Sequence, residues 1–296
     1  MTNCRIRHAN SGRPATTAAG RLLAFARETS QRARPLIYVI AALCLCKVPA
    51  LPAQTMIEGS AIITSRSGLV QASNASGQAV ATKPHKVLQP EGLRISTQQD
   101  GQLFLTFSNA VAIALNEETA LQCLEYSQQS FKNEDLSPGF EPSTSKLRLQ
   151  LSQGQLAIAS NRLSPLSELR IHLPKGEVRL HKGTCLIQLD TTGLHITAYE
   201  GNLTYYYPQQ QAREFISAPK SVRISEQSIE RQQIAEATTV ESLDAAETQL
   251  CQAAQHASKR VVFQANARAD APPVPVLIVS PDYFKQADLR PYQFND

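Results

Sequence analysis

Three histidines and a cysteine lie close together in the sequence and offer ligands for a metal ion. His181, Cys185 and His195 would supply the imidazole and thiolate donors that zinc prefers, and His172 precedes them. On an alternating strand His181 and Cys185 would share a face, but His195 lies beyond a turn, and the spacing matches no compact zinc motif. The sequence therefore does not predict a metal site, and we expect no cofactor.

Acidic side chains offer a second chemistry, that of a glycosidase-type carboxylate pair. The candidates are Glu117, Glu118, Glu125, Asp190 and Glu200. Each stands at a predicted turn or strand end, where solvated acids are routine. No nucleophile elbow, phosphate-binding loop or zinc-protease helix motif occurs in the sequence. We therefore expect that the chain is not an enzyme.

Tyr205, Tyr206 and Tyr207 are the one aromatic cluster and the candidate interaction surface. Aromatic rings can stack on sugars, so the cluster would suit a carbohydrate ligand. The alternative is a strand that points its rings inward and outward in turn, because tyrosine is common in strands.

The first 53 residues predict a signal peptide. A basic, acid-poor stretch ends at Arg34 and is followed by the apolar run 36–46. Eleven helical residues rise only about 16 Å, roughly half of a bilayer core, so this run is too short to span a membrane. Cleavage after Ala53 would release a chain exported to the periplasm or cell envelope. An organellar transit peptide and an uncleaved anchor remain alternatives.

The basic net charge of +4 belongs to this leader. Of the 29 Lys and Arg residues, eight precede Gln54, against one acid, so residues 54–296 carry 21 basic and 24 acidic side chains, a net charge of −3. Binding to nucleic acid needs a clustered basic face, so nucleic acid is not an expected partner. We expect contact with a membrane only through the export signal.

Three cysteines remain after the leader, namely Cys123, Cys185 and Cys251. In an oxidising compartment, Cys123 and Cys185 are the candidate disulfide pair, because both fall in predicted strands of one domain. The alternative is that both are small buried hydrophobic residues.

Residues 57–224 alternate between apolar and polar with period two, which predicts an all-β body. Runs of about five residues end at Gly, Asn, Ser or Pro, as in half-buried strands joined by tight turns. Gln153-Gly154 and Glu200-Gly201 are among the predicted turns. Many short, mostly antiparallel strands indicate a roll or solenoid-like body. The polar segment 127–145 interrupts the alternation and is predicted to be a long loop.

The apolar period changes near the carboxyl end and predicts an amphipathic helix within 227–268. Its narrow, alanine-rich stripe must be covered. Packing on the β body is favoured over pairing with a second copy, which would give a helix-mediated homo-oligomer. The proline-rich tail, 269–296, is expected to be either extended along the body or a flexible end.

Several short sequence motifs of the β body occur in an order that resembles the FecR domain, an exported all-β module. They are Leu88 to Thr97, Phe107-Ser108-Asn109, Leu149 to Leu156, Pro174-Lys175-Gly176, Gly183-Thr184 with Cys185 to Ile187, and Gly201 to Leu203. Glu141 to Ser145 is similar to one subgroup of the family. The resemblance covers 57–226 and implies structural roles for Gly92, Thr97, Gly154, Pro174, Gly176, Gly183, Thr184 and Gly201.

The chain departs from the family at Ala110, where Gly is usual, and at Leu186, where Phe is usual. Only 35 residues precede the short apolar run, so the cytoplasmic anti-sigma domain of related regulators is not expected. The resemblance implies an exported, non-enzymatic FecR-like β domain at 54–226 that binds an envelope protein or polymer or is associated with signalling. The alternative is an envelope carbohydrate-binding or carbohydrate-active protein that uses the Tyr205 region.

Overall fold

The computed structural model describes residues 55–133, 140–161, 163–207, 212–225, 237–240 and 243–278. Strand accounts for 57% of the structure and helix for 8%, so the prediction of an all-β body with one carboxyl-terminal helix is confirmed. The predicted signal peptide lies outside the described residues and stays a prediction. Within the described ranges, no helix has the length and hydropathy of a membrane span.

The described strands form one large sheet and a small hairpin. They are β1 (Met56–Glu58), β2 (Ala61–Ser67), β3 (Val70–Ser73), β4 (Val87–Leu88), β5 (Arg94–Thr97), β6 (Gln102–Phe107), β7 (Ala112–Leu115), β8 (Ala120–Gln129), β9 (Ser145–Ser160), β10 (Glu168–Leu173), β11 (Gly176–Asp190), β12 (Gly193–Tyr206), β13 (Arg213–Ser217), β14 (Lys220–Ile224), β15 (Thr238–Thr239), β16 (Val261–Gln264) and β17 (Val274–Ile278). The helix, α1, spans Ala245–Ser258.

Three long strands build two layers of this sheet. β9, β11 and β12 each pair with one set of neighbours along one half and with another set along the other half. The first layer has the order β3-β5-β8-β9-β10-β11-β12-β13, and the second has the order β4-β2-β6-β7-β9-β11-β12-β14-β15. Among the described pairs only β9 with β10 is parallel, in agreement with the predicted mostly antiparallel body.

Glycines stand where the long strands pass from one layer to the other. Gly154, Gly183 and Gly201 have φ angles of 92°, 109° and 75°, and Gly183 pairs with Gly201 across β11 and β12. The predicted turns at Gly154 and Gly201 are wrong, because both residues lie inside continuous strands. Glycine lets the backbone bend sharply at these positions while the strand continues.

One contiguous core lies between the two layers and is mostly aliphatic. Along β9 the inward-facing residues are odd-numbered before the bend, as at Leu149 and Leu151, and even-numbered after it, as at Leu156 and Ile158. The bend therefore keeps both halves of one strand facing the same core.

The long loop is shorter than predicted. β8 continues to Gln129 and pairs with β1 and with the start of β9, so 127–129 belong to a strand. β9 then begins at Ser145, which places the connection at 130–144, and 134–139 lie outside the described residues. Residues 127–129 are all polar, so the apolar alternation that indicates a strand stops before β8 ends.

The helix is also shorter than the predicted 227–268. It begins after Asp244, whose side chain accepts a hydrogen bond from the Glu247 backbone N–H, while the Glu247 carboxylate accepts one from the Asp244 backbone N–H, which completes a capping box. It ends at Ser258, and Val261 then opens β16. The predicted start of the helix, 227–236, lies outside the described residues.

α1 packs on the outer face of the second layer. The sequence favoured this packing over pairing with a second copy. Its buried residues Leu250, Cys251 and Ala254 pack in one cluster with Ala114, Ala157, Ala159 and Leu186 of the strands. Alanines on both surfaces let the helix axis come close to the sheet. Thr106 Oγ1 also donates a hydrogen bond to the Ala257 carbonyl at 3.1 Å.

The segment after the helix returns along the same layer. Val261 and Phe263 of β16 pack with Ile62 of β2, and β16 pairs with β17. Within the proline-rich tail, Val274–Ile278 form the strand β17, and 279–296 lie outside the described residues.

Ala110 adopts the left-handed conformation at the position where the FecR family usually has glycine. Its φ is 62°, and its backbone N–H donates to the Phe107 carbonyl at 2.9 Å. This conformation costs an L-residue about 1–2 kcal/mol, a cost that glycine would remove. The loss of a buried methyl group and the greater freedom of glycine in the unfolded chain offset about half of that gain. We expect Ala110→Gly to raise the free energy of unfolding by about 0.5 kcal/mol in urea denaturation.

The matched control for this prediction is Ala112→Gly, two residues later in β7. Ala112 is as buried as Ala110 but is not among the residues with positive φ. It should lose stability by about 1 kcal/mol, since glycine weakens a strand interior. A loss of stability in both variants would contradict the proposed backbone strain at Ala110.

Candidate functional site

The structure separates the residues that were considered as metal ligands. His181 is exposed, with its Nε2 atom 2.9 Å from Thr204 Oγ1, whereas Cys185 is fully buried. The register of β11 shifts twice between them, so strand alternation does not bring them to one face. His195 Nδ1 lies 3.0 Å from Gln188 Oε1. Over the described ranges, no group of three or more His, Cys, Asp or Glu residues could hold a metal ion.

The candidate disulfide between Cys123 and Cys185 is not formed, because both are free, buried thiols. Cys123 lies opposite Leu149 on β9, and Cys185 lies opposite Ile158 of the same strand. These two positions of β9 lie on opposite sides of the bend at Gly154, so the two cysteines pair with different halves of the strand. Burial raises the pKa of Cys123 to about 12, as expected for the alternative of a small buried side chain.

The tyrosine cluster is not an exposed surface. Tyr205 is 0% exposed and Tyr207 is 7% exposed, and their rings meet edge to face with centroids 4.8 Å apart. The Tyr205 hydroxyl donates to the Lys175 carbonyl and so ties β12 to the turn at 174–176. Only Tyr206 faces outward. The prediction of a three-ring interaction surface is therefore wrong for Tyr205 and Tyr207, and the alternating-strand alternative is correct.

Three of the five candidate catalytic carboxylates hold local structure. Glu117 accepts a hydrogen bond from the Asp100 backbone N–H at 3.1 Å, and Asp190 accepts one from the Thr192 backbone N–H at 2.6 Å. Glu200 accepts one at 2.5 Å from a glutamine of α1. These acids therefore cap turns or anchor the helix.

Two of the FecR-like motifs meet in one buried polar network. Ser108 Oγ and Tyr126 Oη lie 2.9 Å apart, and both lie within hydrogen-bond distance of Gln128 Oε1, at 2.5 and 3.1 Å. The Asn109 backbone N–H donates to Tyr126 Oη at 2.8 Å, and Asn109 Nδ2 donates to Ser145 Oγ at 2.9 Å. The network closes the ends of β6, β8 and β9 against one another.

Glu141 continues this network to the segment before β10. Its carboxylate accepts hydrogen bonds from Ser145 Oγ at 2.5 Å, from Ser167 Oγ at 2.7 Å and from the Ser164 backbone N–H at 2.6 Å. Burial raises the pKa of Glu141, although the same hydrogen bonds work in the opposite direction. Sequence reasoning did not identify these residues as a cluster. The signal was the polar pair Ser108-Asn109 between apolar strands.

The residues singled out by the FecR resemblance hold turns and bends. Thr97 Oγ1 donates to the Asn116 carbonyl at 2.6 Å and accepts from the Thr119 backbone N–H at 2.9 Å. Thr184 is 1% exposed, and Pro174 and Gly176 bound the turn between β10 and β11. Gly92, Gly154, Gly176, Gly183 and Gly201 all have positive φ. Their contacts and backbone conformations belong to strands, bends and turns.

The outward side of the first layer carries polar side chains across all of its strands, and we name it the polar face. It consists of the outward side chains of β3, β5, β8, β10 and β13 and of the adjoining halves of β9, β11 and β12. One cross-strand row crosses all eight strands, each member being exposed or partly exposed: Ser73, Arg94, Gln122, Gln150, His172, Glu177, Tyr206 and Arg213.

Ion pairs join the centre of the polar face. They are Lys146–Glu125 at 2.8 Å, Arg148–Glu125 at 3.5 Å, Arg148–Glu168 at 3.0 Å, Arg170–Glu168 at 2.6 Å, Arg170–Glu177 at 2.5 Å and His172–Glu177 at 3.2 Å. Partial burial acts to raise the pKa of Glu168, but the hydrogen bond from Arg148 and the nearby positive charges outweigh it and lower the pKa. The three glutamates of these strands are therefore all compensated.

Three arginines of the polar face make no ion pair with any described residue, namely Arg94, Arg179 and Arg213. Arg94 and Arg213 are exposed, and Arg179 is half-buried. Residues 54–296 are acidic as a whole, but the uncompensated charge on this face is positive.

The polar face is concave at the β3-β5-β8 end, where it forms a groove of about 710 Å³. Gln71, Ser73, Arg94, Ser96 and Gln122 line this groove. A second cavity of about 290 Å³ lies beside Arg179 and His181. Arg94 and Arg179 thus stand next to spaces that a ligand could enter.

No protein-family model and no curated protein matches this sequence. Two crystal structures of a "putative anti-sigma factor" from Parabacteroides distasonis resemble part of the chain. The structure at 2.50 Å resolution has 9% sequence identity and a TM-score of 0.36, and the one at 1.65 Å has 7% identity and a TM-score of 0.37. Each similarity covers 49% of this chain and 59% of the chain compared with it.

Proposed function

We propose that this chain is an exported, non-catalytic binding module whose polar face contacts an anionic envelope protein or polymer. The observation that carries the proposal is the charge balance of that face: among the residues that the structure describes, its glutamates are paired, and Arg94, Arg179 and Arg213 are not. Unpaired cations on a surface attract and orient a partner of opposite charge.

The spacing of these arginines suits a macromolecule. Arg94 lies on β5 and Arg213 on β13, six strand spacings apart in the first layer. Strands lie about 4.8 Å apart, so the two positions are roughly 29 Å from each other along the sheet. A small ligand would reach one of these arginines, whereas a protein surface or a polymer chain would reach all three.

The cysteines support a binding role better than a catalytic one. Burial raises the pKa of Cys251 to about 12, and it also raises the pKa of Cys185. A thiol is nucleophilic as its thiolate, so these groups are inert at neutral pH. An association with envelope signalling rests on the FecR resemblance, and a neighbouring gene for a sigma factor or an outer-membrane transporter would support it.

The first test compares charge on two surfaces. The variant Arg94→Gln/Arg179→Gln/Arg213→Gln removes three charges from the polar face. The control Lys83→Gln/Lys86→Gln/Lys220→Gln removes three charges from exposed positions elsewhere. We expect the full chain to retain anionic material from the envelope fraction of its source cell, and the first variant to retain at least about fivefold less. The control variant should retain as much as the wild-type chain.

Equal retention by the two triple variants would contradict the polar face as the binding surface. Export is tested by cell fractionation of the chain with a carboxyl-terminal tag. We expect a processed chain in the envelope or periplasmic fraction, and unprocessed chain in the cytosol would contradict the proposal.

Carbohydrate binding is a second candidate function. The groove at the β3-β5-β8 end favours it, because amide and hydroxyl side chains line that groove.

A further inference from the structure

We propose that the groove between β3, β5 and β8 binds a carboxylate-bearing polysaccharide, with Arg94 contacting a sugar carboxylate. This inference rests on the proposed function, because the groove is one end of the polar face. It adds the class of ligand and the residue that selects it.

Arg94 occupies the middle strand of the groove. Its cross-strand neighbours are Ser73 on β3 and Gln122 on β8, and the next row contains Gln71 opposite Ser96. Neighbouring strands lie about 4.8 Å apart. The Ser73 hydroxyl and the Gln122 amide therefore come from positions on either side of Arg94, each at a spacing close to the width of one sugar ring. Arginine binds a carboxylate through two parallel hydrogen bonds, which gives this position both affinity and direction.

The main chain around the groove is already hydrogen-bonded, which argues against an added peptide strand. β5 pairs with β3 on one side and with β8 on the other, and β8 also pairs with β9. The outer edge of β3 is covered, because the Val80 backbone N–H donates to the Ala72 carbonyl at 2.8 Å. An extended peptide therefore has no free strand edge to pair with here. Recognition must come from side chains.

Those side chains have the chemistry of sugar recognition. Gln71 and Gln122 each carry a donor and an acceptor, and Ser73 and Ser96 carry hydroxyls that act as either. Sugar hydroxyls also both donate and accept, so these polar side chains match a sugar chain, and apolar residues such as Val80, Ile95 and Leu121 complete the lining. The single charge in the lining is Arg94, so one carboxylate of the ligand would be selected.

The size of the groove fits an oligomer. A volume of about 710 Å³ lies within the range of binding sites for drug-sized ligands, roughly 300–1,000 Å³. No aromatic residue is among those that line it. Binding would therefore depend on hydrogen bonds and charge, and we expect it to weaken with salt.

The test measures binding of hexagalacturonate and hexamannuronate by isothermal titration calorimetry, with methyl-esterified hexagalacturonate as the uncharged match. We expect the wild-type chain to bind at least one of the two acidic hexamers. If it binds hexagalacturonate, it should bind methyl-esterified hexagalacturonate at least about tenfold more weakly. Arg94→Gln should weaken binding of the acidic hexamer about tenfold or more. The control Lys220→Gln, which removes a charge from an exposed position of β14 outside the polar face, should change it less than about twofold.

Three results would overturn the groove proposal. The first is that neither acidic hexamer binds. The second is that Lys220→Gln weakens binding as much as Arg94→Gln, which indicates attraction to the overall charge of the chain and not to the groove. The third is that hexaglutamate, an acidic peptide, binds as tightly as the sugar acid. None of these results decides the proposed function, because the capture experiment with the triple variants tests the polar face independently.

Discussion

Replacing Gly183 by alanine is expected to lower the free energy of unfolding by more than about 3 kcal/mol. A Cβ atom at this position would lie 1.9 Å from the Glu200 carbonyl oxygen, and the φ of 109° is one that L-residues rarely adopt. The obstacle is backbone, so it cannot rotate away as a side chain would. β11 or β12 would have to shift at the point where both strands pass between the layers. Urea denaturation followed by circular dichroism measures the loss.

Gly77→Ala is the matched control for this result. Gly77 also has positive φ, at 80°, but a Cβ there would meet no heavy atom within 4 Å. Its substitution carries only the cost of the backbone conformation, about 1 kcal/mol. If the two variants lose the same stability, close approach of the strands is not what requires glycine at 183.

The second large effect is expected for Tyr126→Phe, with a loss of about 2–4 kcal/mol in the free energy of unfolding. Removing the hydroxyl leaves the Asn109 backbone N–H without its acceptor and takes one partner each from Ser108 and Gln128. All of these groups are buried, so water cannot replace the missing oxygen. The ring itself keeps its edge-to-face contact with Phe107, at a centroid distance of 5.3 Å.

Tyr199→Phe serves as the control, measured in the same urea titration. Tyr199 is half-buried beside the cluster under α1. Its substitution should cost less than about 0.5 kcal/mol, as is usual away from buried polar networks. A loss below about 0.5 kcal/mol in Tyr126→Phe would show that the network contributes little to stability.

The strands could be predicted from the sequence because their apolar residues alternate, but the continuity of the strands could not. Gly154 and Gly201 carry the usual mark of a turn, and only the pairing partners on both sides show that β9 and β12 continue through them. The change from odd to even inward positions between Leu151 and Leu156 was the local signal. A bend inside a strand produces that change, and so does a turn, so the signal does not separate the two.

The helix was placed correctly but extended too far. Val261 continues a spacing of three and four residues from Ala254 and Ala257, yet it also begins the alternation of β16. One residue that fits both periods cannot decide between them, and contacts with β2 and β17 determine the outcome.

The polar face could not be predicted, because its arginines are far apart in the chain. Arg94 and Arg213 enter the same cross-strand row only through the register of six successive strand pairs. Neither residue has neighbours in the sequence that mark it as a binding group. In contrast, Tyr205 and Tyr207 were conspicuous in sequence and are buried.

The three strands shared between the layers have a mechanical consequence. Because β9, β11 and β12 belong to both layers, neither layer can swing open while the other stays intact. A partner that docks on the arginine-bearing side would meet a rigid platform already in its final shape. The chain would then lose little conformational freedom on association, and modest contacts would suffice for useful affinity.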